Sequence, residues 1–264
     1  MSAAILVDVT RCTGCERCAV ACTDASQRDP VAAEADRATT RDGLSANRWC
    51  TVVAAEKGRF ARKSCMHCLE PSCVSACLVG SLQKTAEGPV VYDPDKCIGC
   101  RYCMLACPFG VPRYEWSQVA PFMRKCDMCA DRLGRGERPA CVEACPHDVL
   151  AFGSREELLE RAHSLIRNAP GRYLHHVWGE TELGGTSVLY ISDVDLAALG
   201  WPGSDAAAIP DLTEPVIEKT PLLGGTVLAG VWGLSAIIRR RQRLMSSSDA
   251  NGATQDPEED GHRD

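Results

Sequence analysis

The sequence predicts an α+β fold whose architecture is set by cysteine-rich loops rather than by a conventional apolar core. Three observations carry that reading. Sixteen of the seventeen cysteines fall into four compact quartets, while aromatic residues make up only 5% of the chain. A strand, a polar turn and a second strand join quartets two and three, and a charge-free stretch lies near the C-terminus. The expected architecture is two interleaved cysteine modules with a peripheral helix and strand, plus a C-terminal transmembrane helix. At 264 residues, size alone allows one or two domains.

The quartets are Cys12, Cys15, Cys18 and Cys22; Cys65, Cys68, Cys73 and Cys77; Cys97, Cys100, Cys103 and Cys107; and Cys126, Cys129, Cys141 and Cys145. Disulfides fit poorly, because disulfide frameworks belong to short secreted chains with irregular spacings. The run "CIGCRYCMLACP" has the CxxCxxCxxxCP spacing of two-cluster ferredoxins. There one loop supplies three thiolates to one [4Fe-4S] cluster, and the fourth cysteine ligates the other cluster. The last quartet, taken alone, also suits a four-cysteine zinc site. Beside two full CxxCxxCxxxC runs it reads as cluster ligands, so the sixteen thiolates imply four [4Fe-4S] clusters.

The connecting segments decide which quartets exchange ligands. "LVGSLQKTAEGPVVYDPDKC" after Cys77 has hairpin form, so quartets two and three make an inner ferredoxin-like module over residues 65–107. "PFGVPRYEWSQVAPFMRKC" carries three prolines and no hairpin signal, which disfavours joining quartets three and four. Quartets one and four are left as the outer module. "AAILVDV" entering the first and "DVLAFG" leaving the last are strands that close it, within a cluster domain of residues 1–152. The expected sets are Cys12, Cys15, Cys18 and Cys145 (cluster one); Cys126, Cys129, Cys141 and Cys22 (cluster two); Cys65, Cys68, Cys73 and Cys107 (cluster three); and Cys97, Cys100, Cys103 and Cys77 (cluster four).

These quartets, with "KSCMHCLEPSCVSAC", "DPDKCIGCRYCMLACPFGVPRYEW" and "RKCDMCADRLGRGERPACVEACP", resemble the four-cluster iron-sulfur subunits of bacterial respiratory oxidoreductases over roughly residues 1 to 240. "HHVWGETELGGTSVLYISDVDLAALG" looks most like the membrane-anchored subunit of uptake [NiFe] hydrogenase of the hydrogenase-2 type. The beta subunit of membrane formate dehydrogenase is the next resemblance. It implies a non-catalytic electron-transfer subunit between a nickel-iron or molybdopterin catalytic subunit and an integral membrane subunit that binds quinone or haem. The iron-sulfur subunit of another molybdopterin enzyme and a freestanding polyferredoxin are the alternatives. Two departures stand out: no twin-arginine signal precedes the first motif, and Thr23 and Leu78 replace the proline after two of the quartets.

The composition excludes other classes. A net charge of -6 without a basic, aromatic-laced patch argues against nucleic-acid binding. No pattern for nickel, molybdopterin or flavin binding is evident, so substrate chemistry is expected in a partner. Cys50, in "RWCTVVAAE", reads as a small buried apolar residue. His67 is expected to pack its CxxC loop or donate to a cluster sulfur, and Tyr114 and Trp116 to anchor the proline-rich crossover. Arg11, Arg17, Lys96, Arg101 and Lys125 flank the cluster loops and are placed to offset anionic clusters or to stay solvated.

Residues 153–200 are expected to add a helix, "SREELLERAHSLIRN" with Ser154 and Glu157 as a capping box, and a strand from "GGTSVLYISDVD". Residues 201–219 read as a linker, 220–241 as a transmembrane helix and 242–264 as a disordered polar tail. Residues 221–238 carry no charge, near the lower limit for a bilayer span. Gly225, Ala229 and Gly233 give them a small-residue stripe suited to helix packing. Arg239, Arg240, Arg241 and Arg243 follow, while Lys219, Glu214 and Glu218 precede. The positive-inside bias puts the C-terminus in the cytoplasm and the cluster domain in the periplasm, anchored to the inner membrane. Met1 to Thr10 is too short for a signal peptide, so export bound to a signal-bearing partner is expected.

Overall fold

The computed structural model describes residues 2–116, 122–201 and 206–252. The chain divides into two units, residues 1–212 and 213–264. In chain order the elements are β1 (Ala3–Asp8), α1 (Arg17–Ala25), α2 (Pro30–Thr39), β2 (Thr51–Ala54), β3 (Phe60–Lys63), α3 (Ser72–Ser75), β4 (Leu82–Lys84), β5 (Val90–Tyr92), α4 (Tyr102–Ala106), β6 (Arg113–Tyr114), β7 (Met123–Arg124), α5 (Ala130–Gly134), α6 (Ala140–Glu143), β8 (Leu150–Ser154), α7 (Arg155–Asn168), β9 (Val188–Ile191) and α8 (Ile209–Gly252).

A three-stranded sheet in the order β8-β1-β9 anchors the first unit. β1 pairs antiparallel with β8, Ala3 opposite Ser154, and parallel with β9, Ile5 opposite Val188. Strand alternation then sorts the side chains. Ala4 and Leu6 join Leu158, Ala162 and Ile166 of α7 on one face. Ile5, Val7 and Tyr190 face the other way, into a cluster that contains Cys65, Cys126 and Cys141. α7 starts at Ser154 with the expected capping box: Ser154 Oγ accepts from Glu157 N–H and the Glu157 carboxylate accepts from Ser154 N–H. β9, expected at the periphery, is buried along its whole length.

The expected β4–β5 hairpin forms, Leu82 opposite Tyr92. The crossover after quartet three corrects the sequence expectation, since β6 and β7 pair antiparallel, Arg113 opposite Arg124. Tyr114 and Met123 lie buried with Leu82, Val90 and Cys103, so tertiary packing supports a ladder that no turn residue announces. Residues 117–121 of that crossover lie outside the described residues. Tyr114 is the buried anchor, whereas Trp116 is 60% exposed and carries the Arg101 guanidinium 4.5 Å from its ring centre.

In the second unit α8 is the one helix, among the described residues, long and apolar enough to cross a membrane. It is already helical from Ile209, through most of the expected linker, and continues to Gly252 past Pro215 and Pro221. Extending a formed helix costs far less than nucleating one, so the apolar segment carries its polar flanks with it. Positions 202–205 of the expected linker and 253–264 of the expected tail lie outside the described residues.

Candidate iron-sulfur sites

The first and third quartets are built by the same local structure. Asp8 and Asp93 each cap a short 3-10 turn ahead of the first cysteine by accepting a backbone N–H. The CxxC loop then turns through Gly14 at φ +76° or Gly99 at φ +70°, and a left-handed Glu16 or Arg101 starts the helix holding the third cysteine. Gly14 is doubly required, because a Cβ there would lie 2.8 Å from the Phe60 ring. The second and fourth quartets share another plan, a CxxC loop with positive φ at His67 or Met128 and a short helix opened by Pro71 or Pro139. α1 packs on α6 and α3 on α4, which sets quartet one beside four and quartet two beside three.

This packing gathers thiols from different quartets. Cys12, Cys15, Cys18 and Cys145 line one pocket together with Arg62. Cys22, Cys126, Cys129 and Cys141 line a second, also with Arg62, of about 350 Å³. Cys65, Cys73 and Cys107 lie within electrostatic reach of Cys68. Cys77, Cys97 and Cys100 stand in the same relation to Cys103. Burial pushes the Cys22, Cys68 and Cys126 thiols well up and Cys73 to about 12, and neighbouring thiols push them further.

Such crowded thiols are poor thiolates by themselves, and bound metal deprotonates them. Loop amides help: Cys107 receives N–H groups of Val111, Phe109 and Gly110, and Met128 N–H points at Cys126 Sγ at 3.4 Å. Among the described residues no three His, Cys, Asp or Glu side chains converge as ligands of a single metal ion. Four cysteine sulfurs brought in from two separate loops are the donor set that a [4Fe-4S] cluster takes. The residues fit [4Fe-4S] clusters.

His67 packs through one ring nitrogen: its Nδ1 accepts the Val90 N–H at 2.9 Å, which ties quartet two to β5, while its Nε2 is buried without a partner. Of the flanking cations, Arg11 meets Asp148 at 3.8 Å, Lys96 meets Asp93 at 3.0 Å and Arg17 is exposed. Lys125 is buried and donates to the carbonyls of Val90 and Cys126. Cys50 is buried as expected, and its thiol lies beside that of Cys18, which with burial pushes it well up. The cation that sequence reasoning missed is Arg62. It is 2% exposed, and its Nη2 donates to Cys141 Sγ at 3.5 Å. The only signal for it was a basic residue three positions before the CxxC of quartet two.

Four sets of cysteine thiols on CxxC loops define a ferredoxin-like iron-sulfur protein. Residues 57–155 match the 4Fe-4S dicluster domain family. The chain is 37% identical over 263 residues to a protein of Nitratidesulfovibrio vulgaris, covering 95% of this chain and 70% of that one. It is 33% identical over 283 residues to the hydrogenase-2 operon protein HybA of Escherichia coli O157:H7, covering 92% and 85%. It is also 34% identical over 197 residues to the iron-sulfur subunit of nitrate-inducible formate dehydrogenase of Escherichia coli strain K12, covering 70% and 66%. The chain belongs to this family of 4Fe-4S iron-sulfur subunits of respiratory oxidoreductases.

Proposed function

We propose that the chain is the non-catalytic subunit that relays electrons between a catalytic oxidoreductase subunit and a quinone- or haem-binding membrane subunit, using four [4Fe-4S] clusters in two interleaved modules. The sixteen ligands fall into the sets named from the sequence, with Cys145 completing the Cys12 set, Cys22 the Cys126 set, Cys107 the Cys65 set and Cys77 the Cys97 set. When bound, such clusters supply one-electron carriers.

The observation that carries the reading is the order in which the thiol sets adjoin. Cys50 lies within electrostatic reach of both Cys12 and Cys22, Cys126 of Cys65, and Cys73 of Cys103. These neighbours support the order one, two, three, four. Of the sixteen cysteines only Cys15 and Cys100 are exposed, and they belong to the two end sets, where electrons enter and leave. The chain's own work is to keep the middle of that line dry and its ligands fixed.

The catalytic partner is proposed to be a hydrogenase, because HybA, named for the hydrogenase-2 operon, is matched over 85% of its length. The formate dehydrogenase relative keeps a molybdopterin partner as the second reading. Purification of the complex in detergent with metal analysis tests both. Iron with acid-labile sulfide plus nickel is expected; molybdenum in place of nickel selects the second reading, and a colourless zinc protein refutes both.

The helix α8 supports attachment to the inner membrane, and Arg239, Arg240, Arg241 and Arg243 at the end of its apolar stretch support a cytoplasmic C-terminus with the cluster unit in the periplasm. Protease added to intact spheroplasts is expected to digest the cluster unit. Protection of that unit until lysis would reverse the orientation.

A further inference from the structure

The hairpin of β2 and β3 brings Arg62 between the outer thiol sets. Its turn uses left-handed Lys57 and Gly58, and Val52 pairs with Arg62 across it. Three contacts dock it. Arg59 grips the Asp193 carboxylate with contacts of 2.6 to 3.1 Å, the Phe60 ring covers Gly14 in the first CxxC loop, and Tyr190 Oη donates to the Arg62 carbonyl at 2.8 Å. The result is a guanidinium that lines both outer pockets.

Arg62 differs from Arg48 in its partners, although each has a buried Nε without an acceptor. Arg48, equally buried, reaches Glu16 at 2.8 Å and Glu34 at 3.6 Å. Among the described residues no carboxylate pairs with Arg62, and its Nε and Nη1 are buried without a hydrogen-bond partner. A guanidinium stays charged in proteins, and a buried charge needs compensation. The acceptors at hand are sulfur. Nη2 donates to Cys141 Sγ, and the Cys50, Cys126 and Cys141 thiols all lie within its electrostatic reach.

We infer that Arg62 is a positioning residue for electron transfer, the shared counter-cation of the two outer clusters, fixed by the β2–β3 hairpin so that it favours the reduced form of both. This rests on the cluster assignment proposed above. The physical reason is direct: each cluster gains negative charge on reduction, and a fixed cation beside its ligands lowers the energy of the more negative state. The same charge also offsets the repulsion between two neighbouring anionic groups and supports loading of both.

The experiment is a redox titration of the full-length protein followed by paramagnetic resonance, in Arg62→Met and Arg62→Lys. In Arg62→Met the two outer-module signals are expected to titrate with a reduction equilibrium constant about tenfold lower, which is about 59 mV for one electron. The inner-module signals stay in place. Arg62→Lys, which keeps the charge, is expected to shift the outer signals less. Should Arg62→Met fail to load its outer clusters, loading in Arg62→Lys supports the inference, and equal failure in Arg62→Lys overturns it. Unmoved outer signals in Arg62→Met, or equal movement of all signals, also overturn it. The unmodified protein separates the two claims: absence of outer signals there refutes the cluster assignment, whereas their presence without a shift refutes the role of Arg62.

Discussion

The inner and outer thiol sets are both flanked by buried or half-buried cations, and the cations are satisfied in different ways. Beside the inner sets, Lys84 Nζ donates to the His67 carbonyl at 3.0 Å and Ser187 Oγ at 3.2 Å, and Lys125 donates to two carbonyls. Beside the outer sets, Arg62 reaches a cysteine sulfur and leaves two of its nitrogens without acceptors. The lysines act as backbone cross-links between loops, since carbonyl acceptors absorb their donors. The arginine is addressed to the thiols. Exposed apolar side chains flank both: Leu78 and Ile98 adjoin inner cysteines, and Val20 lies between the outer Cys18 and Cys22.

The largest effect is expected at the exposed end of the inner module. Cys100→Ser removes a proposed ligand of the terminal set, and quinone-linked turnover of the complex is expected to fall at least tenfold while dye reduction by the catalytic subunit survives. Comparing the two acceptors in one preparation checks this. Equal loss of both points to failed assembly, and retention of both removes that set from the path.

A smaller effect separates packing from ligation on the inner side. His67→Ala leaves the buried Val90 N–H without its acceptor, which costs about 1–3 kcal/mol. A lower thermal midpoint with full iron content is expected. Loss of iron from this variant would make the imidazole part of the site and erase the contrast with Arg62.

Much of this contrast was hidden in the sequence for a physical reason. Cysteine spacing is a local property: CxxC loops, their glycines and the short helices after them are set by near neighbours in sequence, so the cysteine loops are legible, as is the hairpin joining quartets two and three. The capping box at Ser154 and the apolar stretch of α8 are equally local. The destination of Arg62 depends on Cys141 and Tyr190, which are 79 and 128 positions away, and nothing in "RFARK" separates a cluster cation from a solvated one. β6 and β7 escaped notice because their pairing is supported by Tyr114 and Met123 packing on the inner hairpin, not by a turn motif. The helical start at Ile209 is not legible because residues 201–219 read as a linker, whereas the helix runs from Ile209 past Pro215 and Pro221.

The exchange of ligands between quartets is the claim on which the rest depends, and one variant tests it. Cys145→Ser in the full-length protein, reduced and measured by paramagnetic resonance, alters the ligand that the fourth quartet is proposed to give to the set of Cys12, Cys15 and Cys18. The account predicts that the signal of that outer set changes and that both inner-module signals keep their shape and potential. A change confined to an inner-module signal, with the outer signals intact, would contradict it.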